Sequence, residues 1–179
     1  MRIVGGKYGR RIIKPPKNLP VRPTTDLAKE SLFNILRHKI DFEDKKVLDL
    51  FSGTGSISYE FVSRGCASVI SVDQNYKCSQ FIKETAHKFE MKNLQVVRAD
   101  AFRFINTTPL KFDIIFSDPP YDLPGIEKIN ELVFQNELLN TNGILIIEHP
   151  GSIDFSDQQW FIEHRKYGHV NFSLFHLQA

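Results

Sequence analysis

The stretch Val47 to Ser56, VLDLFSGTGS, constrains the fold of this chain more than any other. An apolar run containing one acid, Asp49, stops at a turn with Gly53 and Gly55, and a helix-like stretch follows at once. The pattern predicts a strand feeding a tight glycine turn, the place where an open α/β sheet holds a nucleotide-like ligand. A side chain at Gly53 or Gly55 would stop the backbone approaching a ligand or forbid a positive φ. The turn, with Phe51 in it, is the first candidate for a cofactor site.

The dinucleotide fingerprint G-x-G-x-x-G is incomplete here, because Ser58 stands where its third glycine belongs. Asp49 instead lies inside the strand, four residues ahead of Gly53. That D-x-x-x-G-x-G arrangement resembles the first motif of Rossmann-like methyltransferases, which bind S-adenosylmethionine. The resemblance implies that the acid sits under the loop and holds a water or the cofactor's amino group.

Later strands supply further acids. SVISVD, Ser68 to Asp73, reads as a second strand whose last residue falls twenty positions beyond Gly53. An α/β nucleotide site places a carboxylate there for ribose hydroxyls. A third strand, Leu94 to Arg98, leads to Asp100-Ala101. In methyltransferases of this class an acid at that point accepts from the adenine amine, with apolar neighbours such as Ala101 against the ring. Asp100 equally suits the N-cap of a short helix. The fourth strand, Phe112 to Ser117, ends in Asp118-Pro119-Pro120-Tyr121. D-P-P-Y resembles the catalytic motif of enzymes that methylate nitrogen in a planar amine or amide. Such an amine is a poor nucleophile, because its lone pair is delocalised, so its N–H groups must be held by acceptors. Asp118 and the Pro119 carbonyl are those acceptors, Tyr121 a stacking face, and the carboxylate stabilises the charge that grows on nitrogen.

Residues 1 to 25 carry seven basic residues and no acid, while the remainder holds 16 basic against 21 acidic residues. A basic arm on a mildly acidic body points to a polyanionic partner. β-formers interrupted by glycines predict a short basic hairpin over this arm, followed by a proline-rich linker. Arg2, Lys7, Arg10 and Arg11 would lie along a phosphate backbone, with Tyr8 as a stacking face. Thr24 or Thr25 caps the next helix, and Arg22 beside that N-terminus is placed to meet phosphate, as is Thr24. Ala28, Leu32, Ile35 and Leu36 form that helix's buried stripe.

With 41% hydrophobic residues and a mean hydropathy of -0.26, the composition is that of a soluble globule. No apolar run is long enough to span a membrane, and no signal peptide or metal-ligand pattern is present. Cys66 and Cys78 read as packing residues in a reducing cytoplasm.

Taken together, MRIVGGKYGRR, VRPTTDLAKESLFNIL, VLDLFSGTGSIS and DPPY resemble the RsmD family, bacterial methyltransferases acting on the N2 amine of one guanine in 16S ribosomal RNA. R-P-T-T-D and E-S-L-F-N discriminate best, since the other motifs are shared with many methyltransferases. One departure concerns the hairpin: Gly9 follows Tyr8 directly, where family members usually carry a further basic residue. The resemblance implies a class I methyltransferase fold, α/β, with a seven-stranded, mostly parallel sheet and one antiparallel strand. It also implies S-adenosylmethionine as cofactor, 16S RNA or a small-subunit assembly intermediate as partner, and a cytoplasmic monomer. Asp49, Phe51, Gly53, Gly55, Asp73, Asp100 and Ala101 carry over as cofactor contacts, and Asp118, Pro119 and Tyr121 as the catalytic cluster. Residues 1–22 are then an RNA-binding extension and 23–179 the methyltransferase domain. The alternatives are adenine N6 methylation of DNA or RNA and a non-catalytic RNA-binding assembly factor. The chain lacks the large insertion expected for reading duplex DNA, and its intact Asp118 and glycine turn speak against a non-catalytic role.

Overall fold

The computed structural model describes residues 1–21 and 24–177. Its seven strands are β1 (Lys46–Leu50), β2 (Ser68–Asp73), β3 (Leu94–Arg98), β4 (Phe112–Ser117), β5 (Leu139–His149), β6 (Phe161–Tyr167) and β7 (Val170–His176). They form one sheet in the order β3-β2-β1-β4-β5-β7-β6. β1 pairs in parallel with β2 and β4, while β7 alone runs antiparallel to its neighbours β5 and β6. This is the expected Rossmann-like architecture.

The central strands β1, β2, β4 and β5 read as nearly continuous apolar runs because both of their faces are covered. Successive residues of β5 alternate between the two cores: Ile144 and Ile146 face one, Leu145 and Ile147 the other. The first core also takes side chains from α1 (Asp26–Leu36), α2 (Ser56–Ser63) and α3 (Tyr76–Lys88). The second takes them from α4 (Ala101–Thr107) and α5 (Ile129–Gln135). Thr25 caps α1 by accepting the Ala28 N–H at 3.2 Å, and the whole expected stripe of Ala28, Leu32, Ile35 and Leu36 is buried. After β4, Gly125, at φ 89, opens a 3-10 turn over Ile126–Lys128 before α5 begins.

The N-terminal segment departs from a regular hairpin. A single antiparallel bridge joins Arg2 to Ile12, and the chain between them folds back as turns. Ile3, Tyr8 and Ile13 share the core of α1 and α2. Buried charge fixes this segment to the body. Glu60 on α2 is 0% exposed, accepts the Val4 N–H at 2.6 Å, and pairs with Lys29 at 3.3 Å and with Arg64. Lys29, 1% exposed, also donates to the Arg2 carbonyl. The expected boundary at Arg22 and Pro23 lies outside the described residues.

Breaking a buried ion pair strands the surviving charge. Glu60→Ala is expected to destabilise the protein by about 3 to 5 kcal/mol. Joint replacement of Lys29 by Met should recover part of the loss, as measured by denaturant unfolding.

Candidate active site

A parallel sheet gathers the C-terminal ends of its strands at one edge, and four of those ends carry acids here. Asp49 lies in β1, Asp73 ends β2, Asp118 follows β4 and Glu148 lies near the end of β5. Beyond β1 the chain turns sharply at Phe51, whose φ is 59, then through Gly53 at φ 54 and Gly55 at φ 77. A non-glycine residue held in that left-handed region stores strain, which the surrounding bonds must hold. The Ser52 N–H donates to the Val72 carbonyl at 3.0 Å, and the Gly53 N–H donates to Asp73 Oδ2 at 2.8 Å. Asp73 Oδ1 accepts the Asn75 N–H at 2.8 Å. One carboxylate thereby fixes both the glycine turn and the entry to α3, with lone pairs left for a ligand.

The two glycines do different work. A Cβ on Gly55 would lie 2.8 Å from the Tyr59 hydroxyl and 2.9 Å from Ile82, so that position is closed by packing beneath the turn. A Cβ on Gly53 would first meet Val21, at an ordinary contact distance of 3.5 Å, and Val21 lines the adjoining cavity.

That cavity has a volume of about 1110 Å³. Among the expected cofactor residues, Phe51, Gly53, Asp73 and Ala101 line it, and so do the expected catalytic residues Asp118, Pro119 and Tyr121. Thr24 is in its wall as well. Three expected contacts, Asp49, Gly55 and Asp100, are not among its lining residues. Asp49 is buried under the turn, where it accepts from the Ser58 hydroxyl. Gly55 opens α2 as its N-cap. Asp100 is exposed and caps α4 through the Arg103 N–H at 2.9 Å, the second of the two roles its sequence position allowed.

The electrostatics of this edge are lopsided. Among the described residues none of the four acids has a salt-bridge partner. Burial raises the Asp49 carboxyl to about 7, against hydrogen bonds from Ser58. Burial, then the charges of Glu148 and Asp49, hold Asp118 well above the ordinary carboxylate range. Burial also raises Asp73 and Glu148. Glu148 Oε2 is buried without a donor, while Oε1 accepts from the Tyr121 hydroxyl at 3.2 Å. A pocket of this kind fits a ligand that brings positive charge and N–H or O–H donors. S-adenosylmethionine, with a sulfonium, an ammonium and two ribose hydroxyls, has that donor set.

The family model described as Conserved hypothetical protein 95 matches residues 1–176. The chain belongs to this family, that of RsmD. The Bacillus subtilis protein YlbH is 32% identical over 161 residues, covering 88% of this chain and 86% of that protein. Ribosomal RNA small subunit methyltransferase D of Escherichia coli is 28% identical over 182 residues, covering 100% of this chain and 91% of that one. The solved structure of yhhF from Escherichia coli superposes with a TM-score of 0.87 at 26% identity, covering 100% of this chain and 98% of that one.

Glu148 is the site residue that sequence reasoning left unassigned. Its signal was an acid at the end of a strand, and strand pairing was needed to set it beside Asp118. On the arm, Arg10 and Arg11 are exposed, as is Lys7, whereas Arg2 pairs with Asp26 at 3.1 Å and Glu30 at 3.7 Å. Tyr8 is 6% exposed, its ring in the core with the Lys7 and Arg11 cations 5.4 and 5.0 Å from its centroid. It therefore offers RNA no open stacking face. Arg22 lies outside the described residues.

The raised Asp49 pKa makes stability fall as pH rises. The folded carboxyl, at about 7 against an ordinary value of 3.8, holds its proton longer than the unfolded one. Its contribution is full below about pH 4 and is lost as pH climbs through 7. Asp49→Asn should therefore flatten the decline in melting temperature of the cofactor-free protein between pH 5 and 8, and should be the more stable form at pH 8. Scanning calorimetry across that range checks it, and an unchanged slope would mean Asp49 ionises at its ordinary pKa.

Proposed function

We propose that this protein transfers a methyl group from S-adenosylmethionine to the exocyclic N2 amine of one guanine in 16S ribosomal RNA, within a protein-bearing small-subunit assembly intermediate. The observation that carries this reading is that one cavity is lined both by Gly53 and Asp73, suited to a nucleoside cofactor, and by Asp118, Pro119 and Tyr121, suited to a planar amine. A relative named Ribosomal RNA small subunit methyltransferase D, matched along this whole chain, supports the substrate class.

When bound, S-adenosylmethionine supplies an electrophilic methyl on sulfur. The Asp73 carboxylate accepts from the ribose hydroxyls, while Phe51 and Ala101 provide apolar surface beside the base. Tyr121 is 47% exposed at the cavity mouth and tethered through its hydroxyl to Glu148, which gives an incoming guanine an anchored ring to stack on. Asp118 and the Pro119 carbonyl hold the amine's hydrogens, turning its nitrogen lone pair toward the methyl. As positive charge develops on that nitrogen, it favours the ionised form of Asp118, which stabilises the charge and takes the proton the amine sheds, from a position already set by the β4 end, where its own N–H donates to the Leu50 carbonyl at 3.3 Å. Most of the remaining acceleration comes from positioning. The exposed Lys7, Arg10 and Arg11 grip the phosphate backbone, and Thr24 lies at the junction of arm and cavity.

The test is transfer of labelled methyl to small subunits purified from cells lacking this protein, beside naked 16S RNA, followed by nucleoside analysis. N2-methylguanosine is expected, with subunits the better substrate. Asp118→Ala should reduce transfer at least a hundredfold and leave calorimetric affinity for the cofactor nearly unchanged, on the order of what one transition-state contact contributes. N6-methyladenosine as product, or full activity in Asp118→Ala, would overturn the reading.

A further inference from the structure

Asp118 explains how an amine is held, but the purines of RNA offer two exocyclic amines, guanine N2 and adenine N6. They differ in the neighbouring ring atom. Guanine presents a second donor, N1–H, next to its amine. Adenine presents a bare N1 with a lone pair. A site that chooses between them needs an acceptor beside Asp118.

Glu148 is in that position. Ile147 on β5 pairs with Ser117 on β4, so the next residues on these parallel strands, Glu148 and Asp118, are adjacent across one strand spacing, about 4.8 Å. Both line the same cavity. The Glu148 side chain is 7% exposed, and its two oxygens have different fates. Oε1 is committed to the Tyr121 hydroxyl at 3.2 Å. Oε2 is buried with no donor among the described residues. An unsatisfied buried carboxylate oxygen is costly to the free protein, and a ligand N–H removes that cost.

We infer that Glu148 Oε2 accepts the N1–H of the target guanine and thereby selects guanine over adenine. This rests on the function proposed above and adds the residue that reads the base. Two carboxylates side by side match two adjacent donors on guanine. On adenine the second carboxylate meets the N1 lone pair, which leaves Oε2 unpaired and repelled. A site built to hydrogen-bond a substrate N–H discriminates strongly against an analogue that lacks it.

The test uses small subunits assembled with 16S RNA carrying either guanine or 2-aminopurine at the methylated position. 2-Aminopurine keeps the reacting amine but has no N1–H. The wild-type protein is expected to favour guanine in kcat/KM by roughly 10- to 100-fold, the effect of one hydrogen bond to a charged group. In Glu148→Gln, whose amide can donate to a bare N1, that preference should fall to near unity. Tyr121→Phe keeps the carboxylate and should keep the preference, whatever its effect on rate. Equal wild-type rates on the two bases would overturn the inference without any variant. So would an unchanged preference in Glu148→Gln, or the same loss in Tyr121→Phe, which would reduce Glu148 to an anchor for Tyr121. No wild-type transfer to guanine would defeat the proposed function itself, whereas transfer with an unaltered ratio in Glu148→Gln removes only the role of Glu148.

Discussion

Four carboxylates without a salt-bridge partner among the described residues define the working edge of this fold. Burial makes each of them reluctant to ionise, and Asp118 and Glu148 face one another's charge as well. A chain selected only for stability would neutralise such a set with Lys or Arg, as this one does for Glu60 in α2. Leaving the strand ends uncompensated costs stability and creates a site that a cationic, donor-rich ligand completes. The two hydrophobic layers hold that arrangement rigid, since β1, β2, β4 and β5 are locked in register by their cores.

The turn over Gly53 shows how geometry and charge are joined. Asp73 uses one oxygen to hold the Gly53 N–H and the other to hold the Asn75 N–H. The same carboxylate that awaits a ligand thus keeps Phe51 in its left-handed conformation and the cavity floor open. Beside the turn, Pro20, Val21 and Thr24 bring the end of the basic arm into the cavity wall. Because Glu60 and Lys29 pin the start of that arm, the surface suited to gripping RNA and the chamber suited to chemistry form one continuous unit.

Much of this was legible in the sequence for physical reasons. β2 and β4 begin and end where the apolar runs do, because buried parallel strands are bounded by polar turn residues. Asp73 and Asp118 stand out because each terminates such a run. Other features depend on tertiary contacts that no local pattern records. Asp100 satisfies a helix N-terminus and stays outside the cavity lining, a choice its sequence left open. Tyr8 follows a basic, glycine-rich pattern suited to an exposed hairpin, yet the ring inserts into the core beside α2, with the Tyr8 N–H held by the Ser63 hydroxyl. β5 starts four residues before its apolar run, because Leu139 pairs with Phe112 across an irregularity in register. Glu148 became readable only once β5 was known to lie next to β4.

The central claim is that the strand-end carboxylates form a receptor for a cation-bearing cofactor, and proton release on binding tests it most directly. Calorimetric titration of S-adenosylmethionine at pH 7, in buffers of different ionisation enthalpy, gives the number of protons exchanged. Asp49, raised to about 7, holds a proton on a fraction of molecules at that pH and should give it up when positive charge arrives. The account predicts net proton release on binding S-adenosylmethionine, and a smaller release with S-adenosylhomocysteine, which lacks the sulfonium charge. Binding without proton release, or with equal release for both ligands, would contradict it.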